Sequence, residues 1–61
     1  MIITKYLLFQ ALVTGGSLTT NDVHFKLITT IEREEGSLHS FLVTGVDERG
    51  LKTSVVVRTA D

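Results

Sequence analysis

The sequence predicts a mainly β protein, a small antiparallel meander of three to four strands in one domain spanning residues 1–61. Charged side chains stay hydrated at a chain reversal, and glycine adopts the positive φ that tight turns often need. Twenty residues are Val, Ile or Thr, whose branched Cβ favours strands. Two acidic, glycine-containing stretches separate runs of such residues: Glu34-Glu35-Gly36-Ser37 and Asp47-Glu48-Arg49-Gly50. They predict two hairpin turns.

The first segment, residues 2–13, is apolar at both odd and even positions. A strand buried on both faces has this pattern, so we expect a strand here. A short helix is the alternative, because short apolar runs do not distinguish the two by periodicity. Gly15-Gly16-Ser17 then marks a turn or loop.

The segment Val23–Arg33 alternates between apolar and polar residues, which indicates a strand. The alternative is a helix over about 22–35, capped by Asn21 or Asp22 and stopped at Gly36, in an α+β fold of the ββαβ type. The β-branched triplet Thr29-Thr30-Ile31 is a poor helix interior and favours the strand.

Four-residue turns place Arg33 opposite Leu38 and Val46 opposite Leu51. This register gathers apolar residues from all three strands on one face of the sheet. A slip of one residue in either hairpin would distribute them over both faces. The predicted face consists of Phe25, Leu27, Ile31, Leu38, Leu42, Val46, Leu51, Val55 and Val57.

The opposite face is also partly apolar, more than exposure to water alone would favour. We expect either the first segment or a second copy of the chain to cover it. The predicted partner-binding residues on this face are Ile28, Phe41, Val43 and Val56. The β-branched run of residues 55–57 is a second candidate contact, through pairing of strand edges.

Size and composition favour self-association. A domain of 61 residues gains little net stability from its core, and without cysteine it has no disulfide to compensate. A homodimer is therefore the expected state. The lack of cysteine fits a cytoplasmic protein. No apolar run approaches the ~20 residues of a membrane span, so no membrane partner is expected.

The residues that could take part in catalysis do not form the pattern of a known active site. His24 and His39 fall at opposite ends of the predicted sheet, and the acidic group of Asp22, Asp47 and Glu48 lies beside basic residues. No serine has the setting of a hydrolase nucleophile. We therefore predict no catalytic, cofactor-binding or metal-binding residue. The predicted function is a non-enzymatic protein-interaction or assembly module.

A single-stranded nucleic-acid-binding sheet is the alternative function. Such sheets stack bases on exposed aromatic rings beside basic side chains. In the predicted register, Phe41 shares a face with three basic residues, Lys26, Lys52 and Arg58. The net charge of -1 provides no long-range attraction for nucleic acid, so this partner is secondary.

Overall fold

A computed structural model describes residues 3–61 as one curled, four-stranded antiparallel sheet with one short helix. The strands follow one another as neighbours in the order β1-β2-β3-β4, which confirms the predicted mainly β meander. The helical alternative for residues 22–35 is wrong. The elements are α1 Lys5–Thr14, β1 Leu18–Thr20, β2 Val23–Arg33, β3 Ser40–Asp47 and β4 Lys52–Arg58.

The first segment is a helix, so the strand predicted over 3–13 is wrong; Ile2 lies outside the described residues. Both ends of α1 carry local stop signals. The Thr4 hydroxyl accepts a hydrogen bond from the Leu7 N–H at 3.3 Å, and Gly15 adopts φ 64°. At that end the Gly16 N–H donates to the Ala11 carbonyl at 3.0 Å. This arrangement satisfies main-chain groups that a helix end otherwise leaves unpaired.

The fourth strand is β1, which the sequence analysis did not identify. It pairs with the start of β2 through a two-residue turn, with Thr20 opposite Val23. Asn21 and Asp22 in that turn have φ values of 50° and 61°. Positive φ at both positions is typical of the type I′ hairpin, and Asn and Asp tolerate it better than other residues with side chains.

The β2–β3 register differs from the predicted one. Arg33 lies opposite Phe41, not Leu38, because the connection occupies residues 34–39. The Ser37 hydroxyl stabilises this longer loop by accepting hydrogen bonds from the N–H groups of His39 (3.2 Å) and Ser40 (3.0 Å). Irregularities at 25–27 and 28–30 then reduce this displacement along the strand, so that Phe25 lies opposite Asp47, and simple alternation fails along β2.

The β3–β4 register is also displaced, by one residue. Val46 lies opposite Lys52, not Leu51. The connection between the strands spans residues 48–51; the Asp47 N–H donates to the Leu51 carbonyl at 3.0 Å and encloses a tight loop of residues 48–50, with Gly50 at φ 83°. A three-residue loop that ends in a left-handed residue is a common hairpin connection. Because side chains alternate with period two, this small displacement moves strand residues to the other face.

The core therefore lies between α1 and the face of the sheet that carries Phe41 and Val43. Leu42 and Val46 alternate with them and lie on the far face, while Leu38 and Leu51 are exposed in loops. The single apolar face predicted from the sequence is consequently wrong. The buried apolar residues are Ile3, Leu8, Ala11, Phe25, Ile28, Phe41, Val43 and Val57.

Two contacts outside the ladder hold the curled sheet. The Asn21 side-chain amide in the β1–β2 turn donates to the Val56 carbonyl of β4 at 2.5 Å. Ile3 forms a parallel bridge with Thr59, just beyond the end of β4, and the Ala60 N–H donates to the Ile3 carbonyl at 2.9 Å. The first contact lies on the outer edge of β4, and the second continues that edge just beyond the end of the strand.

Candidate interaction surface

The helix α1 carries large apolar residues on both sides, although only one side packs on the sheet. Leu8 and Ala11 face the core, with Leu12 half-buried beside them. On the solvent side, Tyr6 is 71% exposed, Leu7 51% and Val13 84%. We call these three residues the outer face of α1. A surface helix normally presents polar residues to water, so this face is unusual for a helix at a surface.

The outer face of α1 also carries almost no charge. Lys5 is the helix's single charged residue; the first turn has no acidic residue and the last turn no basic one. The main-chain N–H of Lys5 donates a hydrogen bond to an Asp61 carboxylate oxygen at 2.8 Å. A partner that covers Tyr6 and Val13 would therefore not need to desolvate an ion on the helix.

A groove of about 320 Å³ lies between α1 and β1 and continues the outer face of α1. Leu7 belongs to both the face and the groove, and Leu18 supplies an apolar wall from β1. Gln10, Thr14 and Ser17 place polar groups around it. A partner on the helix thus also has a concave surface into which an apolar side chain can pack.

The structure places the predicted partner-binding residues differently from the sequence analysis. Ile28, Phe41 and Val43 are buried under α1, and Phe41 is only 3% exposed. They are not accessible to a partner while α1 packs there. The expectation that the first segment covers this face is met, but by a helix. Val56 is 44% exposed and lies on the far face of the sheet.

The predicted nucleic-acid surface loses its aromatic ring for the same reason. Lys26, Lys52 and Arg58 are exposed, but the ring of Phe41 packs inside the core. Stacking of bases requires an open ring face. In this conformation the three basic residues have no stacking platform at Phe41.

Sequence reasoning missed the outer face of α1 because it treated the segment as a strand. The signals were the cap residue Thr4 and the paired glycines Gly15 and Gly16. Between them, residues 5–12 contain no β-branched side chain, which favours a helix. These local signals also predict its length better than apolar periodicity does.

At one end of the sheet, Asp47 organises the β3–β4 loop. Its carboxylate accepts hydrogen bonds from the N–H groups of Arg49 (2.9 Å) and Leu51 (3.0 Å). The Arg49 guanidinium lies 3.3 Å from the other oxygen, as does the Thr53 hydroxyl. The Leu51 hydrogen bond, with the contributions of Arg49, lowers the pKa of Asp47 despite an opposing effect of partial burial.

The acidic residues do gather near Asp47, as the sequence analysis expected. Asp22, His24 and Glu48 join it around a pocket of about 300 Å³. His24 Nδ1 lies 2.6 Å from the Thr19 hydroxyl, and its Nε2 lies 3.8 Å from a Glu48 oxygen. Among residues 3–61 no group of three or more His, Asp or Glu side chains has the arrangement of a metal site. The pocket is a charged loop end.

His39 lies at the other end of the sheet, so the two histidines are separated as expected. His39 Nδ1 lies 2.6 Å from the Asp61 main-chain oxygen, and the His39 carbonyl accepts from the Thr59 N–H at 2.7 Å. The histidine therefore ties the C-terminal segment to β3.

Comparison with known proteins identifies no relative of this chain. No protein-family model matches the chain, and no curated protein or solved structure matches it significantly. The helix in the described part, α1, is too short to cross a bilayer. The surface itself is therefore the basis for a functional proposal.

Proposed function

We propose that this chain is a non-enzymatic protein-interaction module that self-associates as a homodimer through the outer face of α1. The observation that supports the proposal is the exposure of Tyr6, Leu7 and Val13 on one side of a helix whose other side is already packed. Removing these side chains from water provides the driving force, about 25 cal/mol per Å² of apolar surface.

A second copy of the chain suits this surface. In a two-fold dimer the same patch meets itself, so it must be self-complementary and free of like charges at its centre. The exposed Gln10 lies between Leu7 and the pair Tyr6 and Val13; it is polar but uncharged, so the face has no ionisable group apart from the Tyr6 hydroxyl. When two helices pack, the side chains of one fit into the grooves between side chains of the other. Leu7, Val13 and Tyr6 provide the projecting side chains for such packing.

The size of the patch limits the strength of the dimer. Its exposed side chains present about 400 Å², since a side chain of this kind contributes roughly 100 to 250 Å² when fully exposed. A stable interface buries about 800 Å² on each partner. The groove beside β1 must contribute the remainder. We therefore expect a dissociation constant on the order of micromolar or weaker.

Sedimentation velocity over a dilution series tests the proposal, with Val13→Glu as the disrupting variant. Leu38→Glu is the matched control, because Leu38 is 66% exposed and belongs to the loop 34–39, not to α1. The wild type and the control should shift from dimer to monomer on dilution, while Val13→Glu stays monomeric with an unchanged circular dichroism spectrum. A wild type that remains monomeric at millimolar concentration overturns the proposal.

The cytoplasm is the proposed location of the assembly. The chain contains no cysteine, so its stability does not depend on an oxidising compartment. Expression of a tagged chain and fractionation of the cells would test this assignment.

A further inference from the structure

The outer edge of β4 has main-chain groups that point away from the sheet. Residues 53, 55 and 57 face β3, and the Thr59 N–H continues that side of the ladder by donating to His39. The Val56 carbonyl instead accepts its hydrogen bond from Asn21, outside the ladder. Because successive residues of a strand alternate, the N–H and carbonyl groups of Ser54 and Val56 both point to the free edge.

This edge is suited to pairing with another strand. Three consecutive valines, 55–57, have high strand preference. Just beyond β4, the same edge already accepts main chain, through the parallel bridge between Ile3 and Thr59. In the described residues no other strand covers β4, which is the last strand of the sheet.

We infer that the edge of β4 is a latent self-pairing surface for β4 of a second copy, and that Asn21 blocks it. The Asn21 amide occupies the Val56 carbonyl that an added strand would use. The type I′ turn holds this side chain in place, because Asn21 and Asp22 both have positive φ. Edge strands of natural proteins commonly carry such a block against unwanted pairing.

The charges on β4 favour a second copy as the occupant when the block is removed. Antiparallel pairing about Ser54 places Lys52 of one copy opposite Val56 of the other, so like charges do not meet. Pairing about Val55 would place Lys52 opposite Arg58, which is unfavourable. The register centred on Ser54 is therefore the expected one.

The block has a consequence for assembly. One self-complementary surface gives a closed dimer, whereas two on different sides of the molecule give an open chain of copies. With Asn21 in place, the proposed α1 contact stops at the dimer. Without it, copies add through α1 and β4 alternately. The edge inference does not need the α1 contact, because β4 pairing alone yields a dimer.

The variant Asn21→Gly tests the inference, because glycine keeps the positive φ and removes the amide. Asn21→Asp is the second variant: it keeps the size of the side chain but has no donor for the Val56 carbonyl. Both should form species larger than the wild type in sedimentation velocity at the same concentration. In a Val13→Glu background both should form dimers, while Val13→Glu alone stays monomeric, which separates this inference from the α1 proposal.

Two further measurements identify the edge. Hydrogen exchange by NMR should show the Ser54 and Val56 N–H groups at least tenfold more protected in the Asn21→Gly assembly than in the dissociated wild type. Adding Ser54→Pro removes an edge donor and leaves the main-chain β3–β4 hydrogen bonds in place, although the side-chain bond between Ser54 and Thr44 is lost, and should return the mass to that of the wild type. Folded Asn21 variants with the wild-type mass, or larger species with these two N–H groups unprotected, overturn the inference.

Discussion

The ring of Phe9 on α1 meets the ring of Phe41 on β3 edge to face, with centroids 5.4 Å apart and planes at 90°. This geometry is favourable for two aromatic rings because the positive edge of one meets the negative face of the other. The pair joins the helix to the centre of the sheet. Phe41 is therefore a residue of the core, and the surface available to a partner lies on the opposite side of α1.

Truncation of Phe41 should destabilise the fold strongly. Phe41→Ala leaves a cavity under α1 and removes the aromatic pair, at a cost of about 3–5 kcal/mol. Urea unfolding followed by circular dichroism measures the change. Val56→Ala is the control, because that side chain is 44% exposed on the far face, and its loss should cost under about 1 kcal/mol. Equal losses for the two variants contradict the assigned core.

Gly45 should tolerate no side chain. A Cβ at this position in β3 would overlap the Leu27 main-chain oxygen and come within 2.9 Å of the Phe25 ring. Gly45→Ala should therefore cost about 3 kcal/mol, the upper end for overpacking, because main chain cannot move aside easily. Gly36→Ala is the contrast: it has open space but φ 78°, so about 1 kcal/mol is expected. Thermal unfolding should rank the two in that order.

Asp47 should make stability depend on pH on the acidic side. The folded state lowers the pKa of Asp47, chiefly through the Leu51 hydrogen bond, so its ionised form is favoured by folding. That contribution is fully present above the unfolded value of about 4 and is lost as the pH falls through the folded value. Asp47→Asn should melt at a lower temperature at pH 7 and lose less stability than the wild type between pH 5 and pH 2.

The control for the acid-side experiment is Glu48→Gln, in the same loop. Its carboxylate is exposed and lies 3.8 Å from His24, so removing its charge should change the acid-side slope little. If Asp47→Asn retains the wild-type dependence on pH, the hydrogen bonds in the β3–β4 loop do not contribute to stability as described.

Tyr6 offers a direct optical measurement of the α1 surface. It is the chain's single tyrosine, there is no tryptophan, and it is 71% exposed. Its emission should become less accessible to acrylamide quenching as the protein concentration rises through the dimer range. Leu38→Glu should behave like the wild type, whereas Val13→Glu should show the same quenching at every concentration. Quenching that is independent of concentration in the wild type argues against burial of Tyr6.

Local signals in the sequence were sufficient to predict most of the strands. Alternation identified β2, and the glycines at 36 and 50 marked both long hairpin connections correctly. The pair Asn21-Asp22 also indicates a hairpin turn, since these residues tolerate positive φ. The same residues are typical helix caps, so the sequence alone does not distinguish the two. The short strand β1 was missed with this turn.

The register and the faces of the sheet could not be derived from those signals. Ser37 lengthens one connection through its hydrogen bonds to His39 and Ser40, and Gly50 shortens the other. Each change displaces the partner strand, and one residue is enough to exchange its two faces. Phe41 and Val43, predicted to lie on a partner-binding surface, are therefore in the core. Leu42 and Val46, predicted to share the apolar face, lie on the far face of the sheet.

The sequence by itself determined that the chain is a β meander with turns at glycine and acidic residues, because these preferences arise within a few residues of chain. The tertiary structure decided which apolar residues remain exposed. Packing α1 on the sheet buries Leu8 against Phe41 and Val43, and the radial geometry of a helix then directs Tyr6 and Val13 to the solvent. Which apolar residues remain exposed depends on contacts between distant segments, so no local sequence pattern determines it.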